Sequence, residues 1–351
     1  MMGGDGAGVA GGAPPIPNRA MPMADMIKQD TRDLVPYHRY GHTVVVFEGK
    51  AYLWGGRNDD NGASDVLHCF DPVDFSWTSL HTTGRCPPAR DGHSAVVHGR
   101  SMIVFGGFEE ESQRFSNETF VYDFDLKHWT EMRTTGDRPQ WRDFHTAAVI
   151  DEKMYVFGGR CDQMGQFHST RDLYEDALRV LDLKTQVWSL VKTTGDVPTG
   201  RRSHSAFVFK GRMYIFGGFL GTRNKHYNDL YSFDPATKVW KKMVTVGNAP
   251  CERRRQCTVV VDDRLFLFGG TKPTTTGPPV PNSGPMSQLS DLSDLYVLDF
   301  EPTLYQLAAR QVLEKVAYKR YLYALPSVIR NDLLNRSGTS SYYPCPRYGS
   351  G

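Results

Sequence analysis

Arginine gathers at one place in a motif that this sequence repeats. Pro-x-x-Arg-x-x-His is written from Pro36 to His42, Pro87 to His93, Pro139 to His145 and Pro198 to His204, and a fifth copy, Pro250 to Gln256, ends in Gln. The density rises along the copies, to Arg201-Arg202-Ser203 and Arg253-Arg254-Arg255, and Arg57 and Arg160 each follow a Gly-Gly pair. A guanidinium is planar, permanently charged and forked, so several of them over one pocket suit bidentate capture of a carboxylate. Tyr40, Trp141 and Ser203 stand nearby in sequence and offer apolar walls and a hydroxyl. The same arginines also admit a plainer reading, as solvated loop charges paired with Asp91, Asp143 and Asp162. The repeated histidines share one register in successive units and cannot all ligate one ion, so each is expected to bond a neighbouring backbone group.

The elements that must carry these loops are strands. Five apolar runs end in Gly-Gly, at Trp54-Gly55-Gly56, Phe105-Gly106-Gly107, Phe157-Gly158-Gly159, Phe216-Gly217-Gly218 and Phe268-Gly269-Gly270, spaced 51, 52, 59 and 52 residues apart. Trp77, Trp129, Trp188 and Trp240 follow the first four. One unit reads as the hairpin His93–His98 and Ser101–Phe105 across Gly99-Arg100, a third strand from Thr119 to Asp125 and a fourth around Trp129. Glycine pairs permit positive φ and close strand approach, and a recurring indole suits a seam between sheets provided that its N–H finds a partner. A repeat of this length and content is the kelch pattern, one four-stranded blade of a β-propeller per unit. Residues 35–301 are thus expected to form one all-β kelch propeller. In such a ring, the loop after the second strand and the entry to the next blade open on the same face, which lets the guanidiniums converge on one mouth.

Composition narrows the partners. The 41 Lys and Arg balance 39 Asp and Glu, a net charge of +2, so no global pull toward nucleic acid or anionic membrane exists. Cys69, Cys86, Cys161, Cys251, Cys257 and Cys345 contain no Cys-x-x-Cys pair, which disfavours a zinc ribbon or a disulfide framework and favours a reducing compartment. Residues 1–34, Gly-, Ala-, Pro- and Met-rich at first, are expected to be disordered. No apolar run reaches the roughly 18 residues of a membrane span, and a soluble intracellular chain is expected. The Asn117 and Asn335 sequons are expected to be chance matches.

From residue 302 the period becomes helical. Thr303 and Gln306 form a capping box, and Leu304, Ala308 and Val312, flanked by Leu307, make an apolar stripe. Pro326 must end that helix and can open a second, with Ile329 and Leu333 four apart and Gly338 as terminator. Residues 302–337 are too few to bury their own stripe, which suggests a partner protein; residues 338–351 read as a flexible tail.

Thr303-Leu304-x-x-x-Ala308-x-x-x-Val312 resembles the elongin-binding box of cullin-2 substrate receptors, and Leu325-Pro326-x-x-Ile329 resembles the cullin-2 box that follows it. With Pro36-Tyr37-x-Arg39-Tyr40-Gly41-His42, Trp54 to Asp59, Trp141-Arg142-Asp143-Phe144-His145 and Gly200 to Phe207, residues 35–334 resemble the kelch-repeat receptors of these RING ubiquitin ligases. The resemblance implies a non-catalytic receptor without cofactors, cytoplasmic and nuclear, that partners elongin B, elongin C and cullin 2. It also implies binding of proteins that end in glycine. Carried over residue by residue, Arg160, Arg202 and Ser203, with Arg254 and Arg255 one blade on, hold the terminal carboxylate; Leu304, Ala308 and Val312 contact elongin; Leu325, Pro326 and Ile329 contact cullin. Two departures stand out. Ala308 replaces the usual Cys, and five repeats are visible where the family has six blades, with Met23 to Lys28 expected to supply a fourth strand to the last unit. The chain's own end at Gly351 is a further candidate occupant of the pocket. An interaction scaffold with a cytoskeletal or chromatin partner is the alternative, and an enzyme of the copper-radical or glycosidase kind is not expected, because no paired acids stand at a suitable spacing.

Overall fold

The computed structural model describes residues 35–169, 171–274, 289–314 and 324–338. The expectations for residues 1–34, for a strand at Met23 to Lys28 and for the tail with Gly351 lie outside these residues. Each repeat forms one blade. Blade I has strands Tyr40–Phe47, Lys50–Asn58, His68–Asp71 and Ser76–Ser79; blade II has Ser94–His98, Ser101–Phe105, Thr119–Asp123 and His128–Met132. Blade III runs Thr146–Ile150, Lys153–Phe157, Leu178–Asp182 and Val187–Val191, and blade IV Ser205–Phe209, Arg212–Phe216, Leu230–Asp234 and Val239–Met243. Blade V has Cys257–Val261, Arg264–Pro273 and Leu289–Asp299 among the described residues. All are antiparallel meanders. The entry segments Thr83–Gly84, Thr135–Gly136 and Thr194–Gly195 add a parallel rung to the outer strand of blades II, III and IV, which covers an otherwise open edge.

The cores lie between blades, because alternate residues of a strand point to opposite faces and each face meets a neighbour. Trp54 and Val45 of blade I pack on Met102, Val104 and Trp129 of blade II; Phe105 of blade II packs on Met154, Val156 and Trp188 of blade III. The tryptophans fill the seams as expected, with Phe105 and Trp188 ring centroids 5.1 Å apart and Phe157 and Trp240 5.4 Å apart. Their polar ends differ from expectation. Trp54 Nε1 donates to Asp65 O at 2.9 Å, but the indole N–H groups of Trp129, Trp188 and Trp240 find no acceptor among the described residues, so ring packing holds them.

The repeated motif residues are structural. Each motif arginine donates through Nε to the carbonyl two residues before it and through Nη1 to the first glycine of the Gly-Gly pair sixteen residues on: Arg39 to Gly55 O at 3.2 Å, Arg90 to Gly106 O at 3.0 Å, Arg142 to Gly158 O at 2.7 Å, Arg201 to Gly217 O at 3.0 Å and Arg253 to Gly269 O at 2.9 Å. Arg90, Arg142, Arg201 and Arg253 are fully buried, each against an acid: Glu109, Glu175, Asp229 and Asp294. The expectation that Arg201 and Arg253 reach the mouth is therefore corrected, since their forks are consumed in tying loop to strand. The histidines make a further contact, because the ring of one blade pairs with the hydroxyl that follows the histidine of the blade before it: His93 Nε2 with Thr43 Oγ1 at 2.7 Å, His145 with Ser94 Oγ at 2.8 Å, and His204 with Thr146 Oγ1 at 2.7 Å. Burial, with the adjacent clamp arginine, pushes His93 and His204 down to about 3 and His145 well below its ordinary value, so all three stay neutral. In the fifth copy Gln256 accepts from Ser205 Oγ through its backbone and donates Nε2–H to Phe216 O.

Helices α1 (Leu304–Glu314) and α2 (Ser327–Gly338) form a hairpin. Leu307 N–H donates to Thr303 O at 3.0 Å, and Arg330 N–H to Pro326 O at 2.9 Å, which places the two helix starts where the sequence puts them. No helix among the described residues is long and apolar enough to cross a membrane.

Candidate functional site

Three positions per blade vary while the clamp arginine stays fixed and the histidine gives way only to Gln256 in blade V, and these build the mouth. The two residues between Arg and His are Tyr40-Gly41, Asp91-Gly92, Asp143-Phe144, Arg202-Ser203 and Arg254-Arg255. The first of each faces, across a β-bridge, the residue that follows Gly-Gly: Tyr40 with Arg57, Asp91 with Phe108, Asp143 with Arg160, Arg202 with Phe219, and Arg254 with Thr271. The second lies at positive φ in every blade. Its N–H donates to the equivalent carbonyl of the blade before: Gly92 to Gly41 at 2.9 Å, Phe144 to Gly92 at 2.6 Å, Ser203 to Phe144 at 2.9 Å and Arg255 to Ser203 at 2.9 Å. Glycine takes that backbone without cost, but Phe144 at φ 50°, Ser203 at 54° and Arg255 at 62° are non-glycine residues held in the left-handed region side by side at the axis. Such strain costs of order 1–3 kcal/mol per residue and collects at sites of function.

Above this spiral of peptides lies a cavity of about 330 Å³ lined by Tyr40, Arg57, Asp91, Phe108, Gln113, Asp143, Phe144, Arg160, His168, Arg202 and Arg255. All five blades contribute. Of the residues expected from sequence, Tyr40, Arg160, Arg202 and Arg255 come together here. Arg254 sits beside them with its guanidinium 4.3 Å from the Phe219 ring, and Arg202 lies 5.5 Å from the same ring. Ser203 is part of the peptide spiral, outside the lining. Trp141 stands next to clamp Arg142, partly exposed and also outside it. Phe108, Phe144, Gln113 and His168 were not anticipated. The first two occupy the variable positions already filled by Arg57, Arg160 and Ser203 in other blades, which is the signal that points to them; Gln113 and His168 come from irregular loops without one.

The charges are divided unevenly. Arg160 forks onto Asp143, with Nε at 3.1 Å from Oδ1, and Arg57 approaches Glu110 at 3.4 Å. Arg202, Arg254 and Arg255 make no ion pair among the described residues, and the buried Nε atoms of Arg202 and Arg254 have no acceptor there. Burial, followed by the charges of Arg255 and Arg202, pulls Arg254 down to about 10. Burial and Arg202 lower Arg255 as well. Three adjacent cations that destabilise one another are a site prepared for an anion with oxygens to share. In the same cavity, burial and then neighbouring Asp143 push Asp91 up to about 7, so its carboxyl sheds part of its charge near neutrality.

In the helical hairpin, Leu304, Ala308 and Val312 are exposed along α1, with Leu304 85% exposed, whereas Ala309 and Leu333 are buried and Leu325 and Ile329 pack against them. The stripe faces outward as the sequence suggests. Pro326 and Val328 are exposed at the start of α2, but Leu325 and Ile329 belong to the hairpin's own small core.

Comparison with known proteins agrees with this architecture. Residues 41–270 match the family model described as the KLHDC2/KLHL20/DRC7 kelch-repeats domain. Kelch domain-containing protein 3 of Bos taurus and of Homo sapiens are each 44% identical over 300 residues, which covers 86% of this chain and 77% of the relative. Host cell factor 2 of Homo sapiens is 29% identical over 253 residues, 68% of this chain and 31% of that protein.

Proposed function

This chain belongs to the KLHDC2/KLHL20/DRC7 kelch-repeat family, and from that premise we propose that it is the substrate-recognition subunit of a cullin-2 RING ubiquitin ligase, which binds proteins by a carboxy-terminal glycine. Kelch propellers are protein-interaction modules in general, and a protein-interaction role suits a chain whose repeated residues are spent on blade assembly. The observation that carries the finer reading is the trio Arg202, Arg254 and Arg255, without acids of their own at the rim of an axial cavity. A terminal carboxylate supplies two oxygens and one charge, which answers forked donors that are short of acceptors. Asp91 and Asp143 line the same cavity and keep the positive field local. A terminal glycine brings no Cβ into the crowd formed by Tyr40, Phe144 and the arginine stems.

The exposed Leu304, Ala308 and Val312 stripe supports the second half of the reading, since a helix with a bare aliphatic row suits an apolar groove on an adaptor such as the elongin pair. Ala308 in place of Cys shortens one contact and leaves the face unchanged. Binding and recruitment are the whole of the receptor's task, with transfer chemistry left to its partners. Copurification tests this: the intact chain is expected to recover elongins B and C and cullin 2 from a cell extract, and a Leu304→Lys variant with an unchanged propeller to recover none. Equal recovery by the two would overturn the ligase reading and leave the kelch interaction scaffold.

A further inference from the structure

The arginines of the cavity are held in different ways. In blade III, Asp143 meets Arg160 across the β-bridge and takes both its charge and its fork. In blade IV, Arg202 meets Phe219 at the same place. The two backbones exchange hydrogen bonds of 2.9 Å in each direction, which fixes the root of the ring beside the arginine. Arg254 of blade V faces Thr271, which supplies neither charge nor ring, yet its guanidinium reaches across the seam and lies over Phe219, 4.3 Å from the centroid, with that of Arg202 5.5 Å from the same centroid. Phe219 is buried, and His226, paired with it across a short hairpin, packs on it with ring centroids 4.6 Å apart. Burial and then Arg254 pull His226 down to about 4, so it backs the ring as a neutral group.

An acid and a ring leave a guanidinium with different capacities. A carboxylate at hydrogen-bond distance consumes donors and cancels charge, as Asp143 does to Arg160. The face of an aromatic ring attracts the cation through its quadrupole, and the charge and the planar fork of N–H donors stay available to a ligand. Phe108, the other aromatic residue that follows a Gly-Gly pair, faces Asp91 and packs on Phe115 instead. Phe219 therefore has a place that its counterparts in the other blades lack, under two cations that have no acid of their own among the described residues and repel one another.

We propose that Phe219 is the positioning residue of the site: its one ring holds Arg202 of blade IV and Arg254 of blade V together against their repulsion, both still charged and both open to the same anion. This role rests on the reading of the cavity as a receptor for a terminal carboxylate. It ties the preference for a charged chain end to a residue that does not itself touch the ligand. Phe219→Leu keeps the apolar bulk and removes the ring, and the backbone bonds to Arg202 do not depend on the side chain. Titrated by fluorescence anisotropy, a glycine-ended peptide as the free acid should bind Phe219→Leu ~10- to 30-fold more weakly than the wild type. The weak affinity for the carboxy-terminal amide should stay as it is, whereas a merely structural role would lower acid and amide alike. Phe219→Tyr, which restores the ring face, should bring the acid back to within ~3-fold of the wild type. Unchanged thermal melting shows that the blades remain folded, with Phe219→Met as the substitute if Phe219→Leu does not fold.

A second readout needs no peptide. Protons above the face of an aromatic ring are shielded, so in the intact chain with arginine side chains isotopically labelled at nitrogen, the Nε–H signals of Arg202 and Arg254, assigned with Arg202→Ala and Arg254→Ala, should lie upfield of the ordinary arginine range. In Phe219→Leu they should return to it. Ordinary shifts in the wild type would overturn the inference, and so would a folded Phe219→Leu chain that binds the acid as tightly as the wild type does. Shifts that respond to Phe219 in a wild type that binds acid and amide equally would uphold the hold of the ring on the two arginines and overturn the carboxylate reading instead.

Discussion

Arg201 and Arg202 are neighbours of the same type with opposite tasks, and replacing each by alanine separates them. Arg201 donates Nε–H to Thr199 O at 3.0 Å and Nη1–H to Gly217 O at 3.0 Å, pairs with Asp229, and stacks 3.9 Å from the Tyr227 ring centroid. Its removal strands a carboxylate and two carbonyls in a closed interior, and breaking such a pair costs about 3–5 kcal/mol. At roughly 2–4 °C per kcal/mol for a domain of this size, the melting temperature should fall by roughly 6–20 °C. Arg202 makes no ion pair of its own, the nearby Asp143 keeps its direct partner Arg160, and two like charges lie beside Arg202, so Arg202→Ala should change stability by less than about 0.5–1 kcal/mol. Its cost appears in binding, where a carboxylate deprived of a guanidinium loses about 3–5 kcal/mol, at least a hundredfold in affinity. Calorimetric melting and fluorescence anisotropy of a glycine-ended peptide, both well below the lower melting point, read the two effects separately. Equal melting losses for the two variants, or a peptide affinity that survives Arg202→Ala, would refute the division of labour between clamp and site.

Peptide affinity should rise as pH falls from 8 to 6, because Asp91, held near 7 by burial and Asp143, loses the charge that repels an incoming carboxylate; Asp91→Asn should flatten that profile and leave the low-pH affinity in place, as read by anisotropy against pH. Acid should unfold the propeller through its histidine chain. His93 and His204 titrate at about 3 when folded and near 6.5 when unfolded, so below 6.5 the unfolded state binds more protons, and stability falls by up to ~1.4 kcal/mol per pH unit for each histidine until pH 3, measurable by urea melts in which the histidines are replaced by Gln. In the hairpin, Ile329→Ala should loosen α1 together with α2, because Ile329 packs on the Ala309 and Leu333 core, and so should reduce recovery of elongin as well as cullin, whereas exposed Pro326→Ala should spare elongin.

Blade architecture was legible because its determinants recur: a glycine pair where a Cβ at Gly106 would meet His145 and the Arg142 carbonyl, and a tryptophan at the seams between blades I and II, II and III, and III and IV. The site was half legible. Arg57 and Arg160 announce themselves by following Gly-Gly, and Arg202, Arg254 and Arg255 by breaking the pattern of the loop. Arg201 and Arg253 were misread with them, since a run of arginines does not show which fork is turned inward; the clue was that Arg39, Arg90 and Arg142 keep the same place in blades whose neighbours are Tyr or Asp. Invariance along the repeat marks assembly, and variation marks the mouth. The histidine hydroxyl partners were hidden for a different reason, because Thr43 and Ser94 bond across blades some fifty residues apart. Nothing local in the sequence declares such a pair. Gln113 and His168 reach the cavity from irregular loops and were likewise invisible to a reading by period.

The central claim is that the unpaired arginines at the axis hold a terminal carboxylate, and one titration tests it. A fluorescent peptide ending in glycine is titrated with the intact chain as the free acid and as the carboxy-terminal amide. The account predicts saturable binding of the acid and a loss of at least about a hundredfold for the amide, which keeps every other atom of the peptide but removes the charge that Arg202, Arg254 and Arg255 are arranged to receive. Equal affinity for acid and amide would contradict it.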